Sequence, residues 1–243
     1  MLVLAFGGAG CLPDADAPAG PLAAGGRHVL FIGNSLTYYH ELANIVQRLG
    51  VLSGDTIRTT VVAKPDYALV DHIADGDAVA AIRRERWDVV VLQQGSSALD
   101  ESRVLLYSGV DQLAPLIRAA GGTPALYEVW PTSDRAFDVP RVRESYRSAA
   151  VRVNGDFYPV GTAWQEAWQR DPSLGLYDAD GLHPSATGSF LAALVMYEHL
   201  TGKDVRNLPA TAYADGGPLA LDAAAVRLLQ AAAHAANARG TSP

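Results

Sequence analysis

Cysteine is almost absent from this chain of 243 residues, in which Cys11 is the single example. One cysteine cannot form an intramolecular disulfide, and it cannot supply a cysteine-based zinc site. The six histidines are too dispersed along the sequence to predict a metal site of another kind. We therefore expect the protein to work without a metal ion or a cofactor.

Positive charge is also scarce. Lysine and arginine total 19 against 26 acidic residues, so the net charge is −7, and Lys64 and Lys203 are the only lysines. No basic run occurs anywhere in the sequence. Because a nucleic-acid backbone is bound through clustered positive charge, the composition excludes a broad nucleic-acid-binding face.

Long apolar runs are missing as well, since no segment approaches the 18 residues of a membrane span. The first residues, MLVLAFGGAGC, place three small residues directly before Cys11. This pattern resembles the end of a bacterial lipoprotein signal, in which the cysteine is lipidated, although no basic residue precedes it. We expect residues 1–26 to be such a signal followed by a flexible tether. The protein is then extracytoplasmic, as an envelope lipoprotein tethered to the membrane through Cys11 or as a secreted protein; the alternative is a frayed apolar tail.

Several familiar catalytic motifs are absent from the sequence. There is no GxSxG, so the nucleophile elbow of the α/β-hydrolases is missing. Neither GxGxxG nor GxxxxGK[ST] occurs, and HExxH is absent too. These absences argue against a dinucleotide-binding loop, a P-loop and a zinc protease.

What the sequence does contain is an alternation of short apolar runs and helical periodicities. Apolar residues make up 49% and charged residues 19%, which is typical of a well-buried globular protein. The predicted strands are 28–33, 56–63, 88–93, 123–130 and 157–161. The predicted helices are 41–52, 68–86 with a break near Gly76, 104–121, 139–154, 164–170, 185–200 and 221–238. The alternation predicts one α/β domain over 27–243, with a five-stranded parallel sheet in a three-layer α/β/α arrangement.

The carboxyl ends of parallel strands form the edge at which such folds bind their ligands. The first strand ends in GNSLT, so Ser35 falls at a strand-to-helix turn. There its hydroxyl can face a cleft, and its backbone N–H can help to bind an oxyanion. The alternative is that Ser35 or Thr37 only caps the helix.

A second candidate lies far along the chain, in the loop DADGLHPS. Asp180 precedes His183 by three residues, so its carboxylate can orient one ring nitrogen and leave the other free to accept a proton. The remaining histidines lie in predicted strands or helices, apart from His40. His40 is close to Ser35 in sequence but has no carboxylate in a similar local arrangement.

FIGNSLT and DGLHPSATGSFLAALVMYEHLTGK together resemble the SGNH-hydrolase superfamily, also called GDSL-type esterases and lipases. The resemblance covers about 27–202 and implies a flavodoxin-like three-layer fold. It also implies that Ser35 is the nucleophile, that His183 is the general base and then the general acid, and that Asp180 orients His183.

The middle of the sequence departs from the pattern of that superfamily, which has a glycine after the second strand and an asparagine after the third. Asp66 stands near the expected glycine, and LQQGSS stands where the asparagine is expected. The resemblance then makes the backbone N–H groups of Ser35 and Asp66, with the Gln94 side chain, the oxyanion hole. Gln93, Ser96 and Ser97 are alternatives to Gln94, and a purely structural role for the two glutamines is equally open.

Trp130 ends the fourth predicted strand on the ligand side, where an aromatic ring can line the substrate pocket or simply pack. By resemblance, the expected function is a serine esterase that cleaves carboxylic esters, with short-chain acyl groups on carbohydrates as the favoured substrates. A non-catalytic binding module on the same fold is the first alternative, and a flavodoxin-like phosphate or nucleotide binder is the second. The sequence leaves the oligomeric state open.

Overall fold

A computed structural model describes residues 26–240 of the protein. Cys11 and nearly all of the predicted signal and tether fall outside the described residues. The description begins at Gly26, and the first strand begins one residue later. The predicted domain bounds, 27–243, stay a prediction.

The sheet has five strands in the order β2-β1-β3-β4-β5, and every neighbouring pair is parallel. The strands are β1 (Arg27–Gly33), β2 (Ile57–Ala63), β3 (Val89–Leu92), β4 (Thr123–Tyr127) and β5 (Asp156–Tyr158). β1 and β3 lie in the middle, and their apolar side chains are buried. Strands covered on both faces read as continuous apolar runs, which is why VLFI and VVVL were recognisable.

The helices in the described part of the chain flank this sheet. They are α1 (Ser35–Tyr38), α2 (Leu42–Leu52), α3 (Leu69–Asp75), α4 (Asp77–Arg84), α5 (Asp100–Ala119), α6 (Val139–Arg152), α7 (Val160–Arg170), α8 (Ala186–Thr201) and α9 (Ala223–Gly240). Short 3₁₀ turns lie at Tyr39–Glu41, Ser133–Asp138 and Val205–Asn207. α2, α7, α8 and α9 pack together as one group, and α3 to α6 as another. The predicted α/β/α fold with a five-stranded parallel sheet is confirmed.

Most predicted elements are present with shifted ends. The break near Gly76 is real, because this residue adopts the left-handed φ of 79° and separates α3 from α4. The fourth strand was predicted to reach Trp130, but β4 ends at Tyr127. The physical reason is its short partner, since the pair Tyr127 and Tyr158 is the last in the β4–β5 register.

The sequence pattern did not predict a short hairpin near the C-terminal end of the domain. A hairpin joins β6 (Tyr213–Ala214) to β7 (Gly217–Pro218), and its turn places Asp215 and Gly216 at positive φ. Asp-Gly is a strong hairpin signal, but strands of two residues each leave no alternating pattern to detect. Within residues 26–240, no helix combines the length and the apolar character needed to cross a membrane.

Candidate active site

Ser35 is the first residue of α1 and follows β1 across a single residue, Asn34. Asn34 is the N-cap, and its side-chain Oδ1 accepts a hydrogen bond from the backbone N–H of Leu36 at 3.1 Å. The capping role that was the alternative for Ser35 therefore belongs to Asn34. Ser35 is largely buried, and no hydrogen bond of its hydroxyl is found among the described residues. The hydroxyl is thus uncommitted at the edge where the parallel strands end.

A buried glutamine locks this turn in place. Gln93, at the end of β3, accepts hydrogen bonds from the Asn34 backbone N–H at 2.9 Å and the Thr37 hydroxyl at 2.6 Å. Its amide nitrogen donates to Asn34 Oδ1 at 2.9 Å and to the Gln94 carbonyl. A Cβ at Gly33 would come within 2.4 Å of these same Gln93 and Thr37 oxygens, so the close approach requires glycine. Gln93 is fully occupied in holding the turn, which is the structural role considered for it.

His183 and Asp180 form a hydrogen-bonded pair in the loop before α8. The His183 Nδ1 lies 2.5 Å from Asp180 Oδ2, and Asp180 Oδ1 accepts from the backbone N–H groups of Leu182 and His183, each at 2.9 Å. These bonds, that of His183 first, lower the pKa of Asp180 to about 2. Asp180 is therefore ionised at neutral pH, and an ionised acceptor holds the imidazole with Nδ1 protonated and Nε2 free to accept a proton.

Trp130 packs against this loop and contacts it through Leu182. Its indole stacks on Trp164 with ring centroids 3.6 Å apart, and its Nε1–H donates to the Leu182 carbonyl at 3.0 Å. It is 2% exposed and does not line the cavity that contains Ser35. The expectation that Trp130 forms part of the substrate pocket is thus not met, because β4 ends early and the ring packs under the loop that contains Asp180 and His183. Its place is that of a support for the residue next to His183.

The two distant motifs meet at one cavity of about 430 Å³. Ser35 and Asp66 line it, and so does Leu182, the neighbour of His183. A second link is Tyr39, four residues after Ser35, whose ring stacks on the imidazole of His183. No hydrogen bond joins Ser35 to His183 in the described structure. The fold therefore brings Ser35 and the loop that holds His183 to the same cavity.

Two residues predicted to supply backbone donors, Ser35 and Asp66, line this cavity. Ser35 opens α1, where the first N–H groups of a helix have no partner within the helix. Asp66 adopts a left-handed φ of 60°, the conformation that glycine takes most easily, and its side chain is exposed. This accounts for a glycine being expected there. No acceptor is recorded for either N–H among residues 26–240, and their part in an oxyanion hole stays a prediction.

Gln94 differs from its expected role. Its amide nitrogen donates to Ser97 Oγ at 2.9 Å and to the Ser102 carbonyl at 3.2 Å, and its oxygen accepts from the Leu69 N–H at 3.2 Å. Because an amide has only two hydrogens, donation to an oxyanion requires one of these bonds to break. Ser97 is buried and bonded within its own turn, whereas Ser96 lines the cavity with no recorded hydrogen bond in the described residues.

A further histidine–carboxylate pair was missed by sequence reasoning. His40 Nδ1 lies 2.7 Å from Asp215 Oδ2, a residue of the β6–β7 hairpin. His40 has no carboxylate nearby in sequence, but the fold supplies one from 175 residues away. A larger cavity, about 560 Å³, lies beside this pair between α2 and the hairpin. Arg48, Tyr213 and Asp215 line it, whereas Ser35 and His183 do not.

One group among the described residues has metal-ligating atoms close together, namely those of Glu198, Asp204 and His234 within 4.8 Å. Their own ion pairs explain the cluster. His234 Nδ1 is 2.8 Å from Glu198 Oε1, and Asp204 is held by Arg206. The cluster lies on α8, α9 and the turn between them.

Comparison with known proteins finds similarity in structure alone, because no family model and no curated protein matches the sequence. A DUF4886 family protein from Bacteroides uniformis is 22% identical, with a TM-score of 0.73 over 86% of this chain and 94% of that one. A protein from Slackia heliotrinireducens assigned to the SGNH hydrolases is 28% identical, with a TM-score of 0.61 over 72% and 99%. An acetyl xylan esterase from Geobacillus stearothermophilus is 18% identical, with a TM-score of 0.56 over 72% and 94%.

The chain has the fold of the SGNH-hydrolase superfamily. The resemblance carried by FIGNSLT and DGLHPSATGSFLAALVMYEHLTGK is confirmed at this level. The site residues that the resemblance implied are Ser35, Asp180 and His183. Their catalytic roles stay predictions.

Proposed function

We propose that the protein is a serine hydrolase of carboxylic esters. Ser35 Oγ attacks the ester carbonyl carbon, and its proton passes to Nε2 of His183. Asp180 stabilises the imidazolium that forms. The N–H groups of Ser35 and Asp66 hold the oxyanion of the tetrahedral intermediate. His183 then protonates the leaving alcohol, and the acyl group remains on Ser35.

Water completes the cycle in the same site. His183 Nε2 takes a proton from the water molecule, whose oxygen attacks the acyl-enzyme carbonyl. The second tetrahedral intermediate collapses, the carboxylic acid leaves, and His183 returns the proton to Ser35 Oγ. All groups in this cycle belong to the protein or the substrate.

The observation that carries the proposal is an uncommitted serine hydroxyl in the cavity that is also lined by Leu182, the neighbour of an oriented imidazole. Asn34 and Gln93 perform the capping and locking of the turn, so Ser35 has no structural duty. Asp180 holds the imidazole by its Nδ1 edge. Nucleophilic catalysis by serine requires a free hydroxyl and an oriented base.

The experiment is the hydrolysis of p-nitrophenyl acetate by the full chain, compared with Ser35→Ala. Ser35→Ala removes the nucleophile and leaves Asn34 and Gln93 in place, so it should fold normally and lose at least 10³-fold in kcat. Thr37→Val is the matched control, because its hydroxyl lies two residues away and bonds only to Gln93. Turnover that survives in Ser35→Ala contradicts the proposal.

For the substrate, we propose short-chain acyl esters, with acetyl groups on carbohydrates as the first class to test. The similarity in fold to an acetyl xylan esterase supports this choice, whereas Trp130 no longer does because it is buried. The mouth of the cavity carries the exposed apolar side chains of Leu99, Leu105 and Leu182. A panel of acetylated xylo-oligosaccharides and p-nitrophenyl acetate, butyrate and hexanoate separates the classes. A kcat/KM highest for hexanoate contradicts a short acyl group.

We also propose that the protein acts outside the cytoplasm, tethered through a lipidated Cys11 or secreted. The support is the apolar segment and the small residues before Cys11. Expression of the full chain in bacteria with a radiolabelled fatty acid tests it, with Cys11→Ser as the control. Label in the wild type and none in Cys11→Ser is the expected result, and equal labelling contradicts lipidation.

A binding module without efficient chemistry is the second candidate. Two observations favour it: the committed amide of Gln94 and the lack of a hydrogen bond between Ser35 and His183 in the described structure. It predicts saturable binding of acetylated xylo-oligosaccharides, equal in wild type and Ser35→Ala, with no acetate released by either. Acetate release by the wild type alone excludes it.

A further inference from the structure

The ring of Tyr39 lies flat against the imidazole of His183. The centroids are 4.0 Å apart and the planes differ by only 8°. Tyr39 comes directly after α1, the helix that begins with Ser35. The same five-residue segment therefore carries the proposed nucleophile and covers the proposed base. We infer that Tyr39 is a positioning residue for His183, and that the β6–β7 hairpin holds it in place. This inference rests on the proposed function.

Two contacts at right angles define the position of the imidazole. Asp180 holds the ring edge at Nδ1, and Tyr39 covers one ring face. The edge contact alone leaves the ring free to tilt about the hydrogen bond, and the stacked ring removes that freedom. Nε2 is left as the working edge. A face-to-face aromatic neighbour also stabilises the cation that forms when the base accepts a proton.

The stacking position of Tyr39 is enforced by an unusual backbone. The next two residues, His40 and Glu41, both lie in the left-handed region, with φ of 51° and 55°. Neither is glycine, so the turn is strained and needs outside support. Asp215 provides it, because its carboxylate bonds His40 Nδ1 at 2.7 Å and its N–H donates to the His40 carbonyl at 3.5 Å. On the other side, the Ser189 hydroxyl donates to the Tyr39 carbonyl at 3.4 Å.

The His40–Asp215 pair therefore supports Tyr39, and this role does not require His40 to take part in catalysis. The rings of His40 and Tyr39 are nearly perpendicular, with centroids 5.9 Å apart, so the pair also contacts Tyr39 through its side chain. The ionisable groups recorded against His183 are thus the Asp180 carboxylate in its own loop and the Tyr39 phenol, with His40 beyond. Removing the Tyr39 ring leaves Asp180 as the remaining restraint.

The test compares Tyr39→Phe with Tyr39→Leu in the full chain. Phenylalanine keeps the aromatic face, and leucine keeps an apolar cover while removing it. We expect Tyr39→Phe to stay within twofold of wild type in kcat. Tyr39→Leu should lose about tenfold in kcat with KM within twofold, because only the proton-transfer geometry is disturbed. Tyr39→Met replaces Tyr39→Leu if circular dichroism shows that the leucine variant is unfolded.

A second readout does not depend on turnover. The Hε1 NMR signal of His183, assigned by its loss in His183→Asn, reports the protonation of the ring. Its titration midpoint should be lower in Tyr39→Leu than in wild type and unchanged in Tyr39→Phe, because only leucine removes the cation-stabilising face. Asp215→Ala should move the midpoint in the same direction, by less.

The two proposals fail in different ways. If Ser35→Ala hydrolyses p-nitrophenyl acetate as fast as wild type, the esterase proposal fails, and the NMR titration still decides the role of Tyr39. If Ser35 is required but Tyr39→Leu equals wild type in kcat and midpoint, the positioning role is wrong. Equal losses in Tyr39→Phe and Tyr39→Leu also overturn it, because they would assign the effect to the phenol hydroxyl.

Discussion

Two histidine–aspartate pairs contact Tyr39, and they are chemically alike but differently placed. In both, Nδ1 of the imidazole meets a carboxylate Oδ2, at 2.5 Å for His183–Asp180 and at 2.7 Å for His40–Asp215. The first belongs to the loop whose Leu182 lines the cavity with Ser35. The second joins a strained turn to a hairpin. The geometry of the two dyads therefore does not distinguish them, and our proposal selects His183 because its neighbour Leu182 lines the cavity with Ser35.

The largest expected contrast is between the two histidines. His183→Asn should lower kcat for ester hydrolysis by 10³-fold or more, because it removes the proton acceptor. His40→Asn should cost less than tenfold, because it only loosens the support of Tyr39. Steady-state kinetics on both variants, with circular dichroism to verify folding, measures the contrast. A greater loss in His40→Asn would reverse the assignment of the two pairs.

The carboxylates should differ in the same direction. Asp180→Asn should lower kcat by about 10²- to 10³-fold, since the imidazolium loses its charged partner. Asp215→Asn keeps an oxygen toward His40 and should stay within about threefold of wild type. The same assay measures both variants. Wild-type activity in Asp180→Asn would remove Asp180 from the mechanism.

The pH profile sharpens the comparison further. The pKa of Asp180 is depressed to about 2, so its carboxylate is charged above that pH. The negative charge is lost only when the pH falls through this value. Asp180 therefore does not titrate between pH 5 and 9. Activity should fall about tenfold per pH unit on the acid side, from the protonation of His183 alone. A log kcat/KM profile that is flat down to pH 5 contradicts a histidine base, and a slope of two contradicts a permanently charged Asp180.

The smallest expected effects concern the segment LQQGSS, which follows the third strand. Gln94→Ala should change kcat by less than threefold and lower the free energy of unfolding by about 1–3 kcal/mol, because Leu69 N–H loses its buried acceptor. Chemical denaturation and kinetics separate the two effects. A loss of about 10²-fold in a stable Gln94→Ala would restore the role predicted from sequence.

Local sequence patterns predicted what local structure determines. GNSLT and DGLHP each contain their own chemistry within a few residues, and the apolar runs of β1 and β3 reveal strands buried on both faces. The remaining contacts join residues that are distant in sequence, so they depend on the fold. His40 finds Asp215 from 175 residues away, and Trp130 turns under a loop 52 residues further on. Gln94 is surrounded by partners from its own turn and from α5. Such pairings depend on strand ends and loop paths, which composition and periodicity do not encode.

The central claim is that Ser35 is a nucleophile activated by His183. The most direct measurement is labelling of the full chain with a fluorophosphonate, followed by peptide mass spectrometry, in wild type, Ser35→Ala and His183→Asn. We predict one adduct on Ser35 in the wild type, none in Ser35→Ala, and labelling slowed by at least 10²-fold in His183→Asn. Wild-type protein that is folded and unlabelled, or labelled at another residue, would contradict the claim.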